Sequence, residues 1–155
     1  VDIWTIHAFI LREQEDSWGV GIPPGMDGSG GLLYEISDHD DREIFSQSLV
    51  SFRDWMVGQG HGGKPLAVTE FGILHPADFG FPPPATITFM QDAFDFMATA
   101  TSETGDPTDD FRLVQHWFWY SVHDSGDFPT GNLYDTEREQ LTAIGQAYRY
   151  YFSGE

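Results

Sequence analysis

A chain of 155 residues is long enough for one domain with a substantial core and too short for two comfortable ones. Hydrophobic residues make up 40% and aromatics 15%, a composition that excludes a disordered chain. Twenty-five acidic residues against seven basic ones give a formal charge of −18, which excludes nucleic acid and anionic membrane surfaces as partners. The acidity reads as a solubilising surface, or as one suited to an extracellular or salt-adapted source. Cysteine is absent, so neither a disulfide framework nor a thiolate metal site is available. No apolar run approaches the ~20 residues of a membrane span.

The chain opens on Val1-Asp2-Ile3-Trp4, already strand-like and without a signal peptide. We therefore expect sequence upstream of it; the acidity, not this start, is what suggests an extracellular or periplasmic setting. The first predicted strand runs from Asp2 to Leu11 and leads into a long Gly/Pro-rich loop through Trp18, Pro23-Pro24-Gly25 and Gly28 to Gly31. Asp40-Asp41-Arg42-Glu43 has the pattern of a capping box, a carboxylate followed three residues later by Glu. The helix it opens carries Phe45, Leu49, Phe52 and Met56 as one apolar stripe, and Gly58 and Gly60 end it.

A second strand is predicted over Pro65 to Phe71, closed by Gly72. A loop with Pro76 and Pro82-Pro83-Pro84 comes next, then a helix with Ile87, Met90, Phe94 and Met97 on one face. The third strand is predicted from Leu113 to Val122. Past the turn-rich segments at Ser125-Gly126-Asp127 and Thr130-Gly131-Asn132, Thr136-Glu137-Arg138-Glu139 gives another capping-box pattern. The last helix presents Leu141, Ile144, Tyr148 and Tyr151.

Strands that alternate with helices predict βαβ units and a parallel sheet, an α/β fold. Long βα loops and short αβ turns, such as His61-Gly62-Gly63-Lys64, place elaboration at the C-terminal ends of the strands, where (β/α)8 barrels carry their sites. A doubly wound sheet has the same alternation, but nothing here resembles its Gly-rich phosphate turn.

Glu70 is the leading candidate for chemistry, because a carboxylate that finishes an apolar strand sits at the mouth of the sheet. The segment Lys64-Pro65-Leu66-Ala67-Val68-Thr69-Glu70-Phe71-Gly72 resembles the seventh-strand motif of the retaining glycoside hydrolase clan that includes cellulases, mannanases and β-galactosidases. The resemblance implies a (β/α)8 TIM barrel of which residues 1–155 are the C-terminal portion, about three βα units, with Glu70 as nucleophile. Trp4-Thr5-Ile6-His7-Ala8-Phe9 resembles the sixth strand, with His7 lining the pocket and Phe9 where the family often has Tyr. Gln115-His116-Trp117-Phe118-Trp119-Tyr120 resembles the eighth, where a Trp floors the sugar subsite. Trp117 and Trp119 share a strand face, and Trp119, nearer the C-terminal end, is the favoured platform. Asp124 and Trp18 are further candidates for touching sugar, Asp124 beside His123 and Trp18 in an outer subsite.

Retaining hydrolysis needs a second carboxyl as acid/base. In the clan it comes directly after an Asn, and this chain has no Asn-Glu pair; its one Asn, Asn132, precedes Leu133. Asp2, Glu13, Asp78 and Asp124 are the nearest substitutes. Because three parallel strands leave two edges open, we expect a complementary N-terminal barrel half, from the same protein or a separate chain, or self-association. No cofactor and no metal are expected. Two other readings stay open: a non-catalytic carbohydrate-binding or scaffold piece, and a metal-dependent barrel hydrolase using His7, Glu70, His116 and Asp124.

Overall fold

The computed structural model describes residues 1–22, 25 and 30–154; the Pro23-Pro24 and Gly28 positions of the predicted first loop lie outside them. In chain order the elements are β1 (Trp4–His7), α1 (Arg42–Gly58), β2 (Leu66–Phe71), α2 (Pro83–Thr99), β3 (Thr101–Asp106), β4 (His116–Trp119), β5 (Tyr134–Asp135), β6 (Gln140–Leu141) and α3 (Ala143–Ser153). Strands β1, β2 and β4 form one parallel sheet in that order. Helices α1 and α2 supply the long crossovers that parallel neighbours require. The fold is thus mixed α/β around an open three-stranded sheet. No helix among the described residues is long and apolar enough to cross a membrane.

Local chemistry sets the helix starts. The Asp41 carboxylate accepts the Glu43 and Ile44 N–H groups at 2.8 and 3.0 Å, so the cap falls one residue later than the Asp40–Glu43 pattern predicts. Helix α2 begins with Pro83, whose missing N–H leaves no orphan donor at that position. The buried positions of α1 are Phe45, Leu49, Arg53 and Met56. Arg53 takes the place predicted for Phe52, which is only partly covered and meets Trp4 edge-on at 6.4 Å.

Among the described residues the helices lie on one face of the sheet. Trp4 and Ile6, then Leu66, Val68 and Phe71, then Trp117 and Trp119 share one core with Phe45, Leu49, Met90, Phe94 and Ile144 from the helices. Each fully buried Phe or Leu contributes about 1.5–3 kcal/mol by leaving water. The alternate residues Thr5, His7, His116 and Phe118 are exposed, so the opposite face carries no covering layer among the described residues. A doubly wound sheet is covered on both faces; this one is not.

Further expectations change, among them the first strand predicted over Asp2 to Leu11, which contracts to Trp4–His7. The strand predicted over Leu113 to Val122 contracts to β4, because Leu113 and Val114 are already buried in the approach to it. Residues 101–112 fold back on themselves, β3 meeting Arg112 through single bridges. Thr136-Glu137-Arg138-Glu139 does not cap a helix. It forms the turn between β5 and β6, with Asp135 accepting the Glu137 and Arg138 N–H groups, both at 3.0 Å. Helix α3 starts later, with the Thr142 hydroxyl accepting the Gly145 N–H at 3.0 Å, and Leu141 belongs to β6.

Candidate active site

Strict alternation along β2 would place Glu70 on the same face as Leu66 and Val68, inside the helix-covered core. A register shift prevents this. Trp4, Thr5 and Ile6 pair with Leu66, Ala67 and Val68, but the next pair is His7 with Glu70, so Thr69 is an extra residue. The same irregularity separates the Val68–Trp117 and Phe71–Trp119 pairs on the other side. The Thr69 hydroxyl donates to the Ile6 carbonyl at 3.2 Å and anchors the bulge. Phe71 is thereby returned to the core, against Phe45, Phe94 and Trp119, and Glu70 emerges on the open face beside His7. Bulges of this kind re-aim side chains next to active sites.

The His7 Nδ1 lies 3.2 Å from the Glu70 Oε2, with the two side chains 60% and 39% exposed. Among the described residues Glu70 is the one carboxylate on a cleft of about 330 Å³ whose walls include Phe9, Leu11, His75, Tyr120 and Phe128. A concave, mostly apolar site with few polar groups is the usual form of a small-molecule pocket. A larger groove, about 730 Å³, runs along the outer side of α1 past Leu32, Tyr34, Phe52 and Trp55. It lies away from Glu70 and brings no reactive groups together.

Tyr120 forms one wall. Its N–H donates to the Phe71 carbonyl at 2.9 Å and its ring meets Phe9 edge-on at 5.8 Å. A Cβ at Gly72 would lie 2.7 Å from the Tyr120 carbonyl oxygen, so only glycine permits this approach of the two strand ends. The Tyr120 hydroxyl donates to the Asp124 Oδ2 at 3.0 Å. That bond pushes the phenol pKa up, with desolvation and the Asp124 and Glu70 charges adding to it. The Gly126 N–H, then the Tyr120 hydroxyl, hold the Asp124 carboxyl below its usual range. Asn132 clamps the Asp124 backbone, accepting its N–H at 2.6 Å and donating to its carbonyl at 2.9 Å. Asp124 thus orients Tyr120.

The expected tryptophans lie elsewhere. Trp119 is 8% exposed, packs edge-on against Phe71 at 5.4 Å and donates its indole N–H to the Gly131 carbonyl at 2.7 Å. Trp117 is on the same, helix-covered side. Both therefore face away from Glu70. Their phase was legible in His116, a polar residue that marks the uncovered face; Phe118 and Tyr120 come after it at the two-residue period. Trp18 is partly buried against the His75 ring at 5.2 Å, at the edge of the cleft. His75 itself, whose pKa burial lowers, has no motif around it that would mark it in the sequence.

Among the described residues no group of three or more His, Cys, Asp or Glu is placed to hold a metal ion, so His7, Glu70, His116 and Asp124 do not form such a cluster. No second carboxylate among them joins Glu70 on the cleft. Of the four substitutes, Asp2 is exposed ahead of β1, Glu13 accepts the Leu32 N–H at 3.0 Å, Asp78 is exposed, and Asp124 is engaged with Tyr120 and Gly126.

No protein-family model matches the chain, and no curated protein matches it. Among solved structures it is similar to a family 5 xyloglucanase from Paenibacillus pabuli in complex with ligand, with 12% sequence identity and a TM-score of 0.42. The match covers 99% of this chain and 33% of that chain, so the chain spans about a third of that protein's length.

Proposed function

We propose that this chain is the nucleophile-bearing part of a retaining β-glycosidase, with Glu70 attacking the anomeric carbon. The observation that carries the reading is the Thr69 bulge: it spends an extra strand residue on lifting one carboxylate out of the core to the C-terminal end of a parallel sheet. There it shares a cleft with aromatic walls, which suit the apolar faces of a sugar ring. Tyr120, rather than Trp119, is the platform for the sugar under attack, with its hydroxyl held by Asp124 and its ring steadied by Phe9.

The reaction runs in two steps. Glu70 displaces the leaving oxygen and forms a glycosyl ester, and water then releases the sugar. Protonation of the leaving group needs an acid that the described residues do not present in the cleft. A complementary set of βα units, docked on the unpaired edges of β1 and β4, supplies it and closes the open face. The same observation supports a barrel: closing on itself is one way for a parallel sheet with helices on one face to bury the other.

An aryl β-glycoside with a dinitrophenolate leaving group tests the reading, because that group departs without protonation. The wild-type chain should release dinitrophenolate, and Glu70→Ala should lower the rate by roughly 10³-fold or more. Sodium azide should restore Glu70→Ala and yield the α-glycosyl azide, since azide then attacks where the carboxylate stood. Glycan binding without turnover in either form would favour the carbohydrate-binding reading instead.

A further inference from the structure

We infer that the substrate of this site is a β-glycoside with an apolar aglycone, alkyl or aryl, and not a chain of sugars; the inference rests on the glycosidase reading above. The cleft has two parts. Glu70 lies near the end of β2 and Tyr120 just past the end of β4, and the sugar under attack belongs there, on Tyr120. Apart from Phe9, which steadies Tyr120, the remaining side-chain walls come from loops. Leu11 and Val20 belong to the segment after β1, Leu74 and His75 to the one after β2, and Phe128 to the one after β4. Loops at this end of a parallel sheet are where specificity is set.

The partners available for hydroxyls decide what the loop-made part can hold. A second sugar would bring several hydroxyls, and each one that leaves water without a partner costs free energy. The side chains offer little in return. The Tyr120 hydroxyl already donates to Asp124. His75 packs among the rings of Trp18, Phe79 and Phe81, at 5.2, 5.8 and 6.0 Å, with its Nε2 closed off and unpartnered, so only its other ring nitrogen is left for a ligand. Leu11, Val20, Leu74 and Phe128 offer nothing to a hydroxyl. An apolar aglycone makes no such demand, and it gains by covering Val20 and Phe128, which stand 45% and 44% exposed.

The apolar walls are also held in place, so a ligand does not have to gather them. Val20 is fixed through both of its backbone groups: its N–H donates to the Arg12 carbonyl at 2.9 Å and its carbonyl accepts the Gln14 N–H at 3.1 Å. Leu74 is tethered to the buried His39, whose Nε2 accepts its N–H at 2.9 Å. The Phe128 N–H helps to hold the Asp124 carboxyl. Walls fixed in advance raise affinity because less has to be ordered on binding.

Alkyl β-glycosides test this through binding alone, which needs no acid. Methyl, butyl and hexyl β-glycosides of glucose, galactose and mannose are titrated into the full 155-residue chain by calorimetry, beside the β-linked disaccharides of the same sugars. In the preferred sugar series affinity should rise by up to about 4-fold per methylene, while the disaccharide binds no more tightly than the methyl glycoside. Val20→Thr, nearly the same shape, and Leu74→Asn, which keeps the N–H that His39 holds, should each bind the hexyl glycoside about 3-fold or more weakly, with the methyl glycoside unchanged. Both positions are partly open to solvent, and thermal melts check that the fold is kept. Equal affinity along the alkyl series, or tighter binding of the disaccharide than of the hexyl glycoside, overturns the inference. So does an unchanged rise in both variants, which would put the alkyl chain elsewhere, or the failure of every hexyl glycoside to bind at millimolar concentration. In each of these cases the nucleophile reading is left to the dinitrophenolate test. A rise that both variants lose, without dinitrophenolate release from wild type, overturns the nucleophile reading instead and leaves the cleft as a binding site for the same ligands.

Discussion

His39 joins the two loops that frame the cleft, and its ring can do so in one state only. It is fully buried, with Nδ1 2.7 Å from the Ile10 carbonyl and Nε2 2.9 Å from the Leu74 N–H. A carbonyl only accepts and an amide N–H only donates, so the ring is neutral with its proton on Nδ1. Adding a second proton would set two donors against each other in a dry site. Burial pulls the pKa down to about 4, against the opposing effect of the Ile10 bond and with some help from His75. The unfolded residue titrates near 6.5. Between those values the unfolded chain holds more protons than the folded one, so stability falls as pH drops from about 6.5 to about 4. The loss from this residue is about 3 kcal/mol. Urea denaturation at a series of pH values should show it. His39→Gln, which keeps an acceptor for Leu74, should be less stable at pH 7 yet lose less on acidification. His75, also lowered by burial, is in ring contact with His39 at 4.6 Å, so the comparison is made with His75 replaced in both proteins. Parallel pH profiles would count against this account.

At the level of elements, Arg53 does for the N-terminal ends of the strands what His39 does for the opposite end. It lies within the buried stripe of α1 and donates through Nη1 to the Lys64 carbonyl at 2.6 Å, and through Nη2 toward the Arg112 carbonyl at 3.4 Å and the Gln115 Oε1 at 3.5 Å. One guanidinium thus ties the helix to the chain entering β2 and β4. Arg53→Ala leaves these acceptors dry and should cost about 3 kcal/mol in urea denaturation; a loss below about 1 kcal/mol would show that water takes over the role. Arg53 also marks where pattern reading stops. The stripe over α1 was legible because Phe45, Leu49 and Met56 are apolar at helical spacing, but the pattern favours Phe52, the apolar neighbour, over Arg53. Glu70 was legible because it interrupts an apolar run. Its route to the open face was not, since the Thr69 bulge leaves no trace in residue type. The third strand was read with its two tryptophans toward the cleft, whereas they pack on the helix-covered face, although His116 gave the phase. Thr136 to Glu139 shows that a capping pattern and a tight turn draw on the same short polar side chains, and here the strand pair β5–β6 on either side decides for the turn.

Charge acts at the scale of the whole molecule. Arg12, Arg42, Arg112 and Arg138 pair with Glu35, Asp92, Asp109 and Asp135, and Arg53 is committed to carbonyls. Of the seven basic residues, only Lys64 and Arg149 remain without an ion pair or buried role among the described residues. Set against 25 carboxylates, they leave the surface dominated by like charges. Salt therefore has two opposed effects. It weakens four partly exposed ion pairs, each worth at most about 1 kcal/mol, and it screens the repulsion among the unpaired carboxylates. The second effect outnumbers the first, so sodium chloride should stabilise this protein. Between roughly 0.05 and 1 M salt the melting temperature should rise by about 3 °C or more, equivalent to about 1 kcal/mol for a chain of this size. Repeating the melts near pH 4, where many of the carboxylates are protonated, should shrink the rise, which distinguishes screening from a general salting-out of apolar surface. A melting temperature that falls with salt at neutral pH would mean that the ion pairs, few as they are, outweigh the repulsion. The same repulsion bears on self-association: two copies of a chain carrying −18 each resist docking edge to edge. Screening should then promote self-association of the isolated chain in parallel with its stability, and sedimentation over the same salt series would show it.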